Sequence, residues 1–340
     1  MRAVFITRHG GPEVLELREV ADPVPGPRQV LVQTRAAGLN FADLMARQGL
    51  YPDAPPPPCV VGYEAAGEII QLGADVTEFQ LGQRVIAMSQ FGAHAEKVCT
   101  TVEQILPMPD HMTFEQGAAL PVNYLTAYHM LHRVAHVRPG QRLLVHSAAG
   151  GVGIAVLQLC QAVGNVEVFG TASAGKHAYL QEIGLNHPID YRTQDYAEVV
   201  NQLTSGQGVD IVLDPLGGKD WRKGYNLLRP AGHLVAYGFS NNTTGTGKRS
   251  ILRVAGQIAQ VPLWNAISLM NANRSVAGVN MGHLWGEVEM LREEMQALLE
   301  LFGQGKIAPK IDSTFPFAQA SEAHRRLESR GSVGKVVMTA

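Results

Sequence analysis

The sequence has no run of about eighteen or more apolar residues, the least that a bilayer-spanning helix requires, so no transmembrane segment is expected. Cysteine is scarce. Cys59, Cys99 and Cys160 are odd in number and far apart, which argues against a disulfide framework and suits a reducing cytoplasm. Residues 1–10 carry Arg8 and His9 but no apolar stretch leading to a small-residue cleavage site, so a secretory signal is not expected. A formal net charge of −2, from 28 basic and 30 acidic residues, gives no electrostatic reason to bind nucleic acid or an anionic membrane. No Gly-x-Ser-x-Gly occurs, and the twelve histidines show no triad-like spacing with a serine nucleophile. What is present is 340 residues, 46% hydrophobic and 17% charged, which fits a well-buried enzyme with room for two domains.

The chain has two textures. Residues 1 to about 120 read as β-rich, with short strands at 29–36, 68–72, 84–88 and 96–101 that suggest a small barrel or sandwich. The run Pro55-Pro56-Pro57-Pro58 cannot join a strand ladder and is expected in a loop or polyproline structure. From about residue 121 strands and helices alternate. Strands are expected at 142–146, 166–170, 187–190, 209–214 and 233–238, with helices at 154–163, 176–183 and 221–228 between them. That order implies βαβ units and an α/β fold with a doubly wound parallel sheet. Residues 249–271 read as one long apolar helix and 286–302 as another. A strand at 309–312, a helix at 318–329 and a strand at 334–338 follow.

The strand at 142–146 runs into Ser147-Ala148-Ala149-Gly150-Gly151-Val152-Gly153, and then into a helix. A dinucleotide fingerprint needs small residues for the tight turn, for approach of the pyrophosphate to backbone and for helix–strand packing. Ala148, Gly150 and Gly153 fill those places, and Ala149 to Gly153 are the candidate phosphate-cradling residues. The helix N-terminus adds free N–H groups and a positive dipole end.

The end of the next strand decides which dinucleotide fits. NAD sites carry an acid there for the adenine ribose, whereas this chain reads Gly170-Thr171-Ala172-Ser173-Ala174-Gly175-Lys176. Thr171, Ser173 and Lys176 are candidate contacts, and Ser173 and Lys176 can donate to a 2′-phosphate that an acid would repel. Tyr191 and Arg192 follow the third strand, within reach of the same phosphate. Lys176 and Arg192 could instead be solvated surface charges. NADPH is the expected cofactor.

These features together resemble the medium-chain dehydrogenase/reductase superfamily, over essentially the whole chain. Residues 40–51, Val122-Asn123-Tyr124, residues 166–176 and 187–191, Asp214-Pro215-Leu216-Gly217-Gly218 and residues 224–228 are most similar to the vesicle amine transport protein-like branch of the quinone oxidoreductases. The resemblance implies a GroES-like catalytic domain from residues 1–121 and 284–340, and a Rossmann domain from 122–283. Zinc members place a Cys and a His where this chain has Asn40 and Tyr63, poor zinc ligands both, and Cys99 is the one cysteine where a structural zinc lobe would need four. No metal is expected.

Without a Lewis acid, hydride acceptors such as quinones and α,β-unsaturated carbonyls are favoured over simple alcohols. The resemblance puts Asn40 and Tyr51 beside the nicotinamide as hydrogen-bond donors. In related enoyl reductases the tyrosine of an element matching Gln48-Gly49-Leu50-Tyr51 is thought to donate a proton; a residue ionising at about pH 10 could also simply orient the carbonyl. Tyr63 departs from the smaller residues of zinc-free relatives, and could narrow the pocket, stack on substrate or fill the zinc space. Asn123 and Thr126 at the domain junction, Gly238, Phe239 and Ser240 at a strand end, Val279 and Lys335 complete the candidate cofactor residues. Glu64 is expected to pair with Lys335, and Asp43 with local backbone or a nearby cation.

The resemblance also implies a homodimer, with the apolar region 261–270 at the contact or over the substrate. A second reading is an NADPH-binding, membrane-associated partner protein with little turnover. The absence of acidic, basic or low-complexity tails favours the enzyme.

Overall fold

The computed structural model describes residues 1–242 and 251–340. The first segment builds β1 (Arg2–Ile6), β2 (Leu15–Glu19), β3 (Gln29–Leu39), the short helix α1 (Phe41–Gln48), β4 (Cys59–Val60), β5 (Glu64–Leu72), β6 (Arg84–Met88), β7 (Lys97–Thr101) and β8 (Ile105–Pro107). β3 is buried at Val30–Val32, exposes Arg35, and is continuously buried from Ala36 to Leu39, where its end is covered on both faces. Helices α2 (Phe114–Ala119) and α3 (Pro121–Tyr128) then carry the chain across to a second sheet.

That sheet is made of β9 (Arg142–Val145), β10 (Glu167–Ala172), β11 (His187–Asp190), β12 (Val209–Asp214), β13 (Leu228–Ala236) and β14 (Ser275–Gly278). Among the described residues the spatial order is β11-β10-β9-β12-β13-β14, all parallel. The order reverses between β9 and β12, and a crevice opens there at the carboxyl ends of the strands. Helices α4 (Gly151–Val163), α5 (His177–Glu182), α6 (Tyr196–Leu203) and α7 (Lys219–Asn226) make the crossovers. α4 is apolar nearly all round and deeply buried, and it stops at Gly164, whose φ of 81° breaks the helix.

The chain then forms α8 (Ile251–Ile258), α9 (Ala266–Ala272), α10 (Val288–Gly303), β15 (Ile311–Pro316), α11 (Ala320–Glu328) and β16 (Lys335–Thr339). β16 returns to pair antiparallel with β3, so the first and last parts of the chain share one sheet, in the order β15-β16-β3-β5-β6-β8.

The sequence reading needs correction in several places. The single helix expected over 249–271 is two helices where it can be seen, and residues 249 and 250 lie outside the described residues. Pro262 stands between α8 and α9; it has no N–H to donate and clashes with the preceding turn. α9 buries none of its residues, and Leu263, Ile267 and Met270 are 92%, 68% and 67% exposed. The strand expected at 233–238 starts earlier, at Leu228, because the preceding helix ends at Asn226 rather than running to 228. α1, β1 and β2 were not anticipated; each spans only five to eight residues, too few for its period to stand out in the sequence.

Candidate active site

A cleft of about 990 Å³ lies between the parallel sheet and the β3–β16 sheet, and most candidate residues named from the sequence line it, though Ala148 and Arg192 do not. At one end is the turn from β9 into α4. Gly150 caps α4 in an extended conformation, and a Cβ on Gly153 would come within 2.5 Å of the Ala148 carbonyl oxygen. A Cβ on Gly151 would meet Asn123 Nδ2 at 2.0 Å. Ala149 and Val152 complete the turn, and the Ala149 carbonyl accepts from Gly334 N at 3.0 Å, just before β16. The Thr171 hydroxyl accepts from Ser147 N at 3.3 Å and lies 3.1 Å from His146 Nδ1, so its work is to hold the turn. Burial pushes the His146 imidazole down to about 3, with Lys223 adding to the effect, so this ring is neutral.

β10 ends without an acid, and Ser173 follows it along the wall. Lys176 Nζ donates to the carbonyls of Arg330 at 2.8 Å and Ser332 at 2.7 Å, which leaves one of its three N–H groups. Burial and then Arg326 hold this ammonium below the ordinary lysine range. Tyr191 is exposed at the same end. Arg192 sits over the Tyr191 ring at 5.9 Å from its centroid and is not part of the wall. Arg330 is part of it, and sequence reasoning missed it because α11 and β16 bring it in from 154 positions beyond Lys176. A positive φ of 58° at Arg330, just ahead of the Gly331–Gly334 turn, is the local feature that aims this segment back.

The middle of the cleft is the carboxyl edge of β12 and β13. Asp214 Oδ1 accepts from Leu216 N at 2.6 Å and Gly217 N at 3.3 Å, and its Oδ2 has no hydrogen-bond partner among the described residues. Burial pushes this carboxyl up to about 7. Gly217, at φ 84°, makes room for Phe239: a Cβ there would be 2.1 Å from the Phe239 ring. Gly238 packs on Pro215, and Ser240 N donates to the Pro215 carbonyl at 2.8 Å. Val279 N donates to the Ala236 carbonyl at 2.9 Å, which brings Val279 to the wall.

At the far end a buried polar network replaces the expected local pairings with a larger set. Lys335 Nζ donates to Asn40 Oδ1 at 2.6 Å and to Glu64 Oε1, and Asn40 Nδ2 donates to the same Glu64 oxygen at 2.9 Å. Glu64 Oε2 accepts from Val122 N at 2.7 Å. The Glu64–Lys335 pair is thus as anticipated. Asp43 accepts from Asn40 N at 2.8 Å and Gly62 N at 3.2 Å, with His94 Nε2 at 3.8 Å. Its burial raises the carboxyl above the usual range, against the pull of His94. This arrangement fixes the Asn40 amide, uses one N–H of Nδ2 and leaves the other for a ligand, and Asn40 lines the cleft. Thr126 donates to the Val122 carbonyl at 2.6 Å.

Tyr51 and Tyr63 close this end. A Cβ on Gly282 would come 2.6 Å from Tyr51 Oη, so the turn at Met281–His283 sits directly on that hydroxyl. His283 Nε2 lies 2.8 Å from Asp53 Oδ2, a second tie between the two segments. Tyr63 is 5% exposed, with its ring 5.3 Å from that of Phe91. Burial, first of all, raises both phenols above the ordinary tyrosine range. Among the described residues no group of three or more His, Cys, Asp or Glu is arranged to hold a metal ion, and no helix is long and apolar enough to cross a membrane.

Two family models match the chain: "Alcohol dehydrogenase GroES-like domain" over residues 26–110 and "Zinc-binding dehydrogenase" over residues 183–338. The synaptic vesicle membrane protein VAT-1 homolog of Rattus norvegicus is 46% identical over 345 residues, covering 99% of this chain and 84% of that protein. A quinone oxidoreductase of Pseudomonas aeruginosa is 35% identical over 355 residues, 99% of both chains. The structure of Escherichia coli quinone oxidoreductase complexed with NADPH superposes with a TM-score of 0.87 at 29% identity over 100% of both chains.

Proposed function

The chain belongs to the medium-chain dehydrogenase/reductase superfamily, among the quinone oxidoreductases and VAT-1 homologues, and on that premise we propose that it is an NADPH-dependent, zinc-independent reductase of quinones or α,β-unsaturated carbonyl compounds. The observation that carries this reading is a single cleft with a glycine turn at a helix N-terminus at one end and buried hydrogen-bond donors at the other. We read residues 1–121 and 284–340 as the catalytic domain and 122–283 as the cofactor domain.

At Gly151 and Gly153 a Cβ would collide with Asn123 and Ala148, so the backbone is bare where a pyrophosphate must approach. Lys176 retains one N–H, Arg330 stands beside it, and no acid follows β10, which together favour a 2′-phosphate over a free ribose hydroxyl. Bound NADPH would supply a hydride. The neighbouring quinone oxidoreductase, by its title, holds NADPH.

The far end favours chemistry without zinc. Asn40 and Tyr63 offer neither thiolate nor imidazole, and the Lys335 ammonium bonded to Asn40 would repel a divalent cation. The free N–H of Asn40 and the hydroxyl of Tyr51 are donors for an oxygen on which negative charge develops. Tyr51 stays protonated at neutral pH, so its part is to orient the oxygen while water delivers the proton.

The three cysteines are free, in keeping with a cytoplasmic protein. The exposed apolar face of residues 258–270 flanks β14, the edge of the parallel sheet, and supports a homodimer. The same face, with relatives named as vesicle membrane proteins, favours the second reading of a binding partner that turns over little. Steady-state oxidation of NADPH against quinones, enals, enones and enoyl thioesters separates the two. Turnover on at least one class is expected; tight NADPH binding without any turnover overturns the enzyme.

A further inference from the structure

Tyr63 is left without an assigned task by everything above. Its backbone is fixed from both sides. Gly62 precedes it at φ 103°, where a Cβ would come within 2.4 Å of the His94 ring, and the Tyr63 carbonyl accepts from Ser89 N at 2.9 Å. The ring leans on Phe91, and the side chain is 95% buried, yet it lines the cleft. Its hydroxyl is buried and makes no hydrogen bond of good geometry among the described residues; the polar group it interacts with is the neighbouring Tyr51 hydroxyl. A buried hydroxyl whose one partner is a poorly aligned second hydroxyl costs stability, so at the wall of a ligand cleft it can turn its proton to a better acceptor.

The Tyr51 hydroxyl is covered by the turn at Gly282 and interacts with Asn280 as well as with Tyr63. Burial, with the Asp43 carboxyl adding to it, raises the Tyr63 phenol above the ordinary tyrosine range, so it is a donor at neutral pH. Two phenolic O–H groups then lie together on the cleft wall, and a single oxygen with two lone pairs can accept from both.

Resting on the reductase reading, we infer that Tyr63 is a substrate-binding residue whose hydroxyl, paired with that of Tyr51, holds the carbonyl oxygen of a conjugated acceptor. Asn40, Val279 and Trp285 also line this cleft, whose walls are largely apolar and suit the conjugated carbons. Tyr63 adds no bond to the reaction. It fixes which end of the acceptor faces inward, and it is a second donor where an oxyanion forms.

Dead-end binding tests this apart from turnover. Wild type and Y63F, both saturated with NADP+ so that no hydride can be delivered, are titrated calorimetrically with 2-cyclohexenone, with duroquinone and with cyclohexene. Y63F keeps the ring and its Phe91 contact and removes one donor. The expected result is about tenfold weaker binding of the enone or the quinone, whichever the wild type takes, and unchanged binding of cyclohexene. Y51F should show a similar loss for the same carbonyl ligand. Equal affinity of Y63F and wild type for both carbonyl ligands overturns the proposal. So does loss of cyclohexene binding in parallel, or failure of both carbonyl ligands to bind the wild type. Turnover of the wild type on the same compounds with NADPH judges the reductase reading separately.

Discussion

The amide of Asn123 lies flat against the backbone of Gly151, so close that a Cβ on the glycine would be 2.0 Å from Nδ2. The phosphate turn and α3 therefore fit together only without a side chain at 151. Gly151→Ala should lower NADPH affinity by about tenfold or more, since the methyl displaces either Asn123 or the turn from its place at the helix N-terminus. Adding Asn123→Ala should relieve the collision and recover part of that affinity. Cofactor fluorescence titration of the single and double variants measures both effects.

Lys335 and Glu64 are buried together, and removing one partner leaves a charge without compensation. Lys335→Met should cost about 3–5 kcal/mol in chemical denaturation. The double variant Lys335→Met with Glu64→Gln should regain much of that stability. It should remain a poor reductase all the same, because Asn40 loses the donor that fixes its amide.

Lys176→Ala should weaken NADPH binding by about tenfold and leave NADH binding nearly unchanged; the effect is held to that size because the ammonium is only half buried. Ser173→Asp should narrow or invert the preference by repelling the 2′-phosphate. Kd values for both cofactors in each variant provide the check.

Two buried groups act on stability in opposite directions. The folded Asp214 carboxyl titrates at about 7, above its unfolded value, so the folded state holds a proton that the unfolded chain releases. Its contribution falls as pH rises from about 4 to about 7. Folded His146, near 3, refuses a proton that the unfolded chain accepts, so its contribution falls as pH drops from about 6.5 toward 3. Asp214→Asn should remove the first slope and raise stability at pH 8 by a few kcal/mol. Denaturation midpoints across pH 4–8 test the sign; an unchanged slope in Asp214→Asn contradicts it.

Leu263 and Ile267 stand in solvent beside the β14 edge. If this face joins two copies, Leu263→Glu with Ile267→Glu should shift the species seen by light scattering from dimer to monomer, with little change in monomer stability.

The strands of the parallel sheet were readable because buried parallel strands are short, continuous apolar runs between turn residues, as at Val209–Asp214. The glycine turn was readable because the chemistry of phosphate approach dictates its residues. The break at Pro262 was a local signal passed over in favour of overall hydrophobicity. Arg330 was beyond local reading: what brings it to Lys176 is the pairing of β16 with β3, a contact between distant parts of the chain. The same holds for the Tyr51 hydroxyl under Gly282, since nothing near Tyr51 in sequence announces that turn.

The hydrogen bond from Gly334 to Ala149 has a consequence for the order of events in synthesis. The phosphate turn leaves the ribosome long before the segment that latches onto it. Through that interval a nascent chain has the fingerprint without this bond, and whatever Gly334 adds to the cradle comes only after β16 has docked on β3.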